Sequence, residues 1–377
     1  MMGTENPLPE EAAMEQDVYF QLGERLNQYP VKMPLVEPFL NILREIYTDE
    51  EARLGAQFPV GLCTAQELAQ KLSRPEKPLA ALLERMADKG TIFVKKTQDG
   101  QSRYALTPFV PGVVEFQLMR GTDTPRDRKL AKMLEDFMEG DMAELARAAF
   151  RDPEMAKQLI PVPPARTITV EKDLPAGTQV HSFEKLSQLV EQETSFAAAK
   201  CYCRHHAYLM GKPCKVPGIP EYSCLAFGAA ADYVAERGFG KRITKQEAYQ
   251  ILEATEKAGL VHNTSNIRDS TVFVCNCCGC CCGFLKIMEL TGTSAMLAFS
   301  NFRVEADPAE CVGCGDCVER CQVGALSLVD ERISPDESKC LGCGNCVSAC
   351  PTNCLTMVRR ADQIPPDAGG TLGILGI

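Results

Sequence analysis

Cysteine is the residue with the most chemistry in this chain, and its twenty copies are placed very unevenly. Only Cys63 lies in the first 200 positions; the other nineteen fall between Cys201 and Cys354. Clustered thiols in a long chain without an export signal sit where sulfur stays reduced, so they read as metal ligands and not as a disulfide framework. The strongest pattern is a repeat: Cys311-x2-Cys314-x2-Cys317-x3-Cys321, then Cys340-x2-Cys343-x2-Cys346-x3-Cys350-Pro351. Iron-sulfur clusters take soft thiolates, and two-residue spacers let three successive side chains converge on one cube. Gly313, Gly315, Gly342 and Gly344 permit the tight backbone path this needs. Structural zinc, the competing tetrathiolate chemistry, uses longer separations between its paired ligands. Cys63 reads as a small buried hydrophobe.

The two runs resemble the bacterial dicluster ferredoxin domain, over about residues 303 to 358. In that family each run gives its fourth cysteine to the opposite cluster. The resemblance therefore implies one 4Fe-4S cluster on Cys311, Cys314, Cys317 and Cys350, and a second on Cys340, Cys343, Cys346 and Cys321. It implies a pseudo-twofold pair of ββ and short-helix units, and electron transfer as the task. One departure is Gln322, which stands where the family has proline after the first run's fourth cysteine; Pro351 keeps it in the second. Cys354 is an extra thiol, read as a bystander packed near the cluster.

Ten more cysteines lie further upstream: Cys201, Cys203, Cys214 and Cys224, then Cys275, Cys277, Cys278, Cys280, Cys281 and Cys282. The first four read Cys-x-Cys-x10-Cys-x9-Cys and can complete one cube or one tetrahedral zinc site; the context favours iron-sulfur. The segment CNCCGCCC holds six cysteines in eight residues, more than one cube uses. It admits a cluster drawing on both groups, a cluster with more irons, or partly redundant thiols. Arg204 is either a donor to cluster sulfurs or a surface ion-pair residue; His205 and His206 read as solvated or core histidines. His262 reads as a capping or packing residue at a helix end.

These ligands need a scaffold, and the sequence predicts an α+β, multidomain one. Residues 1–125 contain helix signals followed by a hairpin. Leu40, Leu43, Ile46 and Tyr47 recur at helical spacing, and Thr48 with Glu51 and Thr64 with Glu67 match the capping box. A helix over Thr64–Leu72 and an apolar stripe from Leu79 to Met86, closed by Gly90, precede strands Thr91–Lys96 and Ser102–Leu106 around an Asp99-Gly100 turn. The order resembles a winged helix-turn-helix. Residues 126–165 form a helical segment, broken near Gly140, and a stiff IPVPP linker. Residues 166–302 form a Cys-rich α/β domain, with a helix over Phe183–Lys200, a capped helix from Thr244 to near Gly259 and a strand Ser270–Val274. Residues 303–360 are the ferredoxin-like domain, and 361–377 a Gly- and Pro-rich flexible tail.

The whole arrangement resembles iron-sulfur oxidoreductase-like proteins of anaerobic bacteria, a resemblance that brings no established chemistry with it. The expected function is single-electron relay between redox partner proteins through two 4Fe-4S clusters and at least one further centre. A redox-responsive DNA-binding regulator and a subunit of an iron-sulfur oxidoreductase are the alternatives. Residues 60–120 carry nine Lys+Arg against six Asp+Glu, with Lys95, Lys96 and Arg103 on the presumed wing. Residues 1–60 carry eleven acids against four bases, which repels a duplex, so DNA is not favoured as a partner. The formal charge of -10 suits docking on a basic patch. Neither GxGxxG nor a P-loop is present, so no nucleotide cofactor is predicted. An acidic N-terminus unlike a secretion signal, and no apolar run of about 18 residues, predict a cytoplasmic protein without a membrane span.

Overall fold

Side-chain caps set several of the helix starts of the N-terminal region in a computed structural model that describes residues 16–152, 155, 165–268, 272–291 and 298–367. Asp17 caps α1 (Val18–Leu26), and α2 (Glu37–Ile46) buries Phe39, Leu40, Ile42, Leu43 and Ile46. The reciprocal Thr48–Glu51 and Thr64–Glu67 bonds start α3 (Asp49–Ala56) and α4 (Ala65–Leu72). Then come α5 (Glu76–Asp88) and the hairpin β1 (Ile92–Lys96) and β2 (Ser102–Leu106), with Ile92 opposite Leu106 and Gly100 at φ 82° in the turn. Cys63 exchanges backbone bonds with Tyr104 on β2 and packs against the apolar core, where burial pushes its thiol up to about 11. After α6 (Val114–Leu118), helices α7 (Pro125–Glu139) and α8 (Asp141–Arg151) meet at Gly140, where the break was predicted. The IPVPP segment lies outside the described residues.

The central region is a seven-stranded sheet. Its strands are β3 (Ala165–Thr167), β4 (Phe196–Lys200), β5 (Tyr222–Phe227), β6 (Lys241–Ile243), β7 (Val261–Ser265), β8 (Phe273–Cys277) and β9 (Ala298–Phe299), in the order β6-β4-β5-β8-β7-β3-β9. Every pairing is antiparallel except β3 with β9. Its helices are α9 (Leu186–Glu191), α10 (Tyr202–Leu209), α11 (Gly228–Glu236), α12 (Lys245–Lys257) and α13 (Gly283–Thr291). Thr244 and Glu247 form the expected capping box on α12. The helix predicted over Phe183–Lys200 is corrected: only α9 and a short turn at Ser182–Glu184 are helical, and Phe196–Lys200 is a strand. Both faces of that strand are buried. Phe196 and Ala198 join the apolar layer under α12, whereas Ala197 and Ala199 join the core shared with α11 and the N-terminal region, so tertiary burial overrides the helix preference of alanine. His262 is likewise mid-strand on β7 and buried, not at a helix end. The predicted strand at Ser270–Val274 is observed as β8, displaced toward the cysteines; Ser270 itself lies outside the described residues.

The C-terminal region pairs β10 (Phe302–Ala306) with the final strand, while α14 (Asp316–Arg320) precedes the hairpin β11 (Leu326–Val329) and β12 (Arg332–Pro335). The final strand is β13 (Leu355–Arg359), antiparallel to β10 with Phe302 opposite Arg359. Both ends of this region are fixed to the sheet. The segment expected to be a free tail from Ala361 is tied down as far as Asp367: Gln363 is bonded by Asn301 through both backbone groups, Pro366 accepts from the Arg268 amide at 3.1 Å, and Asp367 pairs with Arg268. No helix among the described residues is long and apolar enough to cross a membrane.

Candidate metal centres

The C-terminal loops are shaped by glycine. Gly313, Gly315, Gly342 and Gly344 all have φ between 68° and 89°, and a Cβ on Gly342 would overlap the Phe302 carbonyl oxygen. The turns aim backbone donors at sulfur: the Gly313 amide lies 3.4 Å from Cys311 Sγ, and the Ala325 amide 3.2 Å from Cys321 Sγ. The thiols nearest Cys317 electrostatically are Cys350, Cys314 and Cys311, and those nearest Cys346 are Cys343, Cys340 and Cys321. The thiols therefore gather as two interleaved quartets, each taking one cysteine from the other run. Two all-thiolate quartets with amides pointing at sulfur are a donor set that fits 4Fe-4S clusters. Burial pushes the Cys343 thiol up to about 12 and raises Cys346 further, so metal uptake there must displace protons. Cys354 packs beside the first quartet, as expected of a thiol near the cluster: its sulfur is 3.4 Å from Cys350 Sγ and it neighbours Cys311.

The central cysteines sort differently from the sequence grouping. Cys214 leaves Cys201, Cys203 and Cys224 and joins Cys278, Cys280 and Cys281, with all four sulfurs within 4.8 Å of one another. The other six are electrostatic neighbours in the order Cys201–Cys203–Cys282–Cys277–Cys275–Cys224, and Cys203, Cys275, Cys277 and Cys282 share one packed cluster. Strand periodicity explains part of this, because Cys275 and Cys277 on β8 point to one face and Cys224 sits on neighbouring β5. Cys201 caps α10, Cys203 is in its first turn, and Cys282 immediately precedes α13. Hydrogen bonds from Cys275 and Cys282 bring Cys277 down to about 6, and bonds from Cys281 with the charge of Arg204 bring Cys278 down to about 5.

Arg204 stands between the two sets. Its Nη1 donates to the Asn276 carbonyl at 3.0 Å and its Nη2 to Ser223 Oγ, while its charge faces Cys201, Cys278 and Cys277. It is half-buried, and its guanidinium bonds go to a carbonyl and a hydroxyl and not to a carboxylate, which sets aside the surface ion-pair reading. The histidines face away from sulfur. His205 Nε2 lies 2.7 Å from the Thr122 carbonyl, His206 Nε2 lies 2.9 Å from that of Ala131, and His262 Nδ1 bonds Asn276 Oδ1 at 2.6 Å.

The second C-terminal quartet is seated against the central thiols. Cys343, Val323 and Leu341 pack in one apolar cluster with Cys203, Cys275, Cys277, Cys282, Leu285 and Met288. Polar bonds hold this seam: Thr169 Oγ1 to the Gly342 carbonyl at 2.6 Å, Val170 amide to the Cys343 carbonyl at 2.9 Å, and Asn345 Nδ2 to the carbonyls of Gly259 and Leu260. Gln322, the departure noted in the sequence, takes part. Its Oε1 accepts from the Gly279 amide at 2.8 Å, in the middle of CNCCGCCC, a bond proline cannot make. Cys314 is exposed, beside Val312 at 65% and Val329 at 56% exposure.

The C-terminal fold and its interleaved thiols define a ferredoxin-like dicluster region. In agreement, residues 303–351 match the family model of the 4Fe-4S dicluster domain. No curated protein and no solved structure matched the chain. The sequence missed the partition of the central cysteines and the roles of Gln322 and Asn276; the Gln-for-Pro departure was the one signal available.

Proposed function

We propose that this protein is an electron-transfer protein that relays single electrons between redox partner proteins, using two 4Fe-4S clusters on the C-terminal quartets and a further iron-sulfur centre on the six-thiol row. When bound, such clusters supply one-electron couples that change charge with little rearrangement. The observation that carries this reading is the apolar seam joining Cys343 to Cys203, Cys275, Cys277 and Cys282, while Cys314 of the other quartet is exposed. The chain thus offers one thiol quartet to a docking partner and keeps the next against the interior row. Val312, Leu328 and Val329 provide apolar contact surface on the side of the exposed Cys314. Leu285, Met288, Val261 and Leu341 exclude water along the seam, and Arg204 offsets the negative charge of the central thiolates.

The N-terminal hairpin supports a docking role over a DNA-reading one. Lys96 of the presumed wing is 2.8 Å from Glu236 on α11, and Glu84 and Asp88 of the presumed reading helix are bound by Arg237 at 2.7 and 2.8 Å. These surfaces already face the protein's own central region.

Counting iron and acid-labile sulfide in anaerobically purified protein tests the proposal. About twelve of each per chain, on four per cube, is the expected result, with a paramagnetic signal on dithionite reduction. About eight of each removes the central centre, and colourless protein that stays silent on reduction removes the function.

A further inference from the structure

We propose that Cys214, Cys278, Cys280 and Cys281 bind a single tetrahedral zinc ion, separate from the iron-sulfur centres. The argument is one of spacing. An ion bonded to four sulfurs at about 2.3 Å holds them about 3.8 Å apart. Cys214 Sγ lies 3.6 Å from both Cys278 Sγ and Cys280 Sγ, and Cys280 Sγ lies 3.7 Å from Cys281 Sγ. A cube instead binds each thiolate to a different iron at a different corner, and so spreads its four sulfurs further. The chain carries its own comparison. Among the described residues no three of the C-terminal cysteines have all their sulfurs within 4.8 Å of one another, and neither do any three of the six-thiol row, whereas these four do.

The surroundings fit a closed structural site. All four positions of a tetrahedron are filled by protein thiols, which leaves none for substrate. Ala207, Leu260, Val216 and Ile219 pack around the sulfurs, and the Arg204 charge faces Cys278, offsetting part of the negative charge that four thiolates leave on a divalent ion. Cys214 sits in a segment, residues 211 to 221, with neither helix nor strand and with Pro213, Pro217 and Pro220 along it. Its three partners lie 64 or more residues later, on the turn between β8 and α13. The same turn delivers Cys277 and Cys282 to the six-thiol row. Zinc would therefore tie a loop that lacks helix and strand bonds, and otherwise rests on the packing of Val216 and Ile219, to the turn beside the neighbouring centre's ligands.

The test is metal analysis of the full chain purified without oxygen, together with zinc-edge X-ray absorption. The expected result is about one zinc per chain with four sulfur neighbours at about 2.3 Å. Cys214→Ser and Cys281→Ser each lose the zinc and keep the iron content, whereas Cys203→Ser keeps the zinc and loses iron. Zinc absent from the wild type, zinc retained in Cys214→Ser, a loss of about four irons in that variant, or one iron with the absorption of a ferric tetrathiolate in place of zinc each overturn the proposal. If the serine variants do not fold, the sulfur coordination seen in the wild-type absorption spectrum decides it. Because zinc and iron are counted separately, failure here is distinguishable from failure of the electron-transfer reading.

Discussion

Single side chains decide which thiols bind together. Cys314 is the exposed member of the first quartet, so Cys314→Ala should cost about four irons per chain and leave the second quartet loaded, as read by iron analysis and the reduced paramagnetic spectrum. Asp173 provides a pH-dependent counterpart. Burial raises its carboxyl to about 6, helped by Glu256 and opposed by Lys172, Ser348 and Arg320, and it packs against Gly344 of the second run. Its folded pKa lies above the ordinary carboxylate value of about 3.9, so the folded state holds this proton more tightly than the unfolded chain does. The stabilisation this gives is present below about pH 4 and is lost as pH rises to about 6. Asp173→Asn should therefore be more stable than the wild type at neutral pH, with the difference in urea midpoint shrinking as pH falls from 6 to 4.

At the scale of elements, the readable parts of the sequence were those whose signal is local. Thr48–Glu51, Thr64–Glu67 and Thr244–Glu247 declare their helices within four residues, and the two ferredoxin-like runs declare theirs within eleven. Phe196–Lys200 failed because its meaning is not local: three alanines favour a helix until a sheet buries both their faces. The grouping of Cys214 failed for the same reason, since its partners arrive from a strand end far along the chain. The docking of the N-terminal hairpin was equally invisible. It depends on Tyr233, whose single hydroxyl hydrogen is shared between the Ala87 and Ile92 carbonyls at 2.9 and 2.8 Å. Tyr233→Phe should cost about 1–2 kcal/mol in denaturant unfolding, because it leaves two buried carbonyls without their shared donor, with iron content unchanged.

On the scale of the whole molecule, one seam decides whether the regions act together. Gly279 and Gln322 touch backbone to backbone, and a Cβ at position 279 would overlap the Gln322 carbonyl oxygen. Neither chain can give way as a flexible side chain would. Gly279→Ala should lower stability by about 1–3 kcal/mol, read as a fall in melting temperature, and should weaken metal retention by Cys278 and Cys280 on either side of it.

The anchoring of residues 361–367 reaches beyond stability. With β9 and β10 leading in and the Asn301–Gln363 and Arg268–Pro366 bonds holding the way out, the dicluster region is a drawer fixed on two rails, unable to swing toward or away from the rest. Internal hopping would then require no diffusive search, and its rate should be the same in water and in concentrated glycerol.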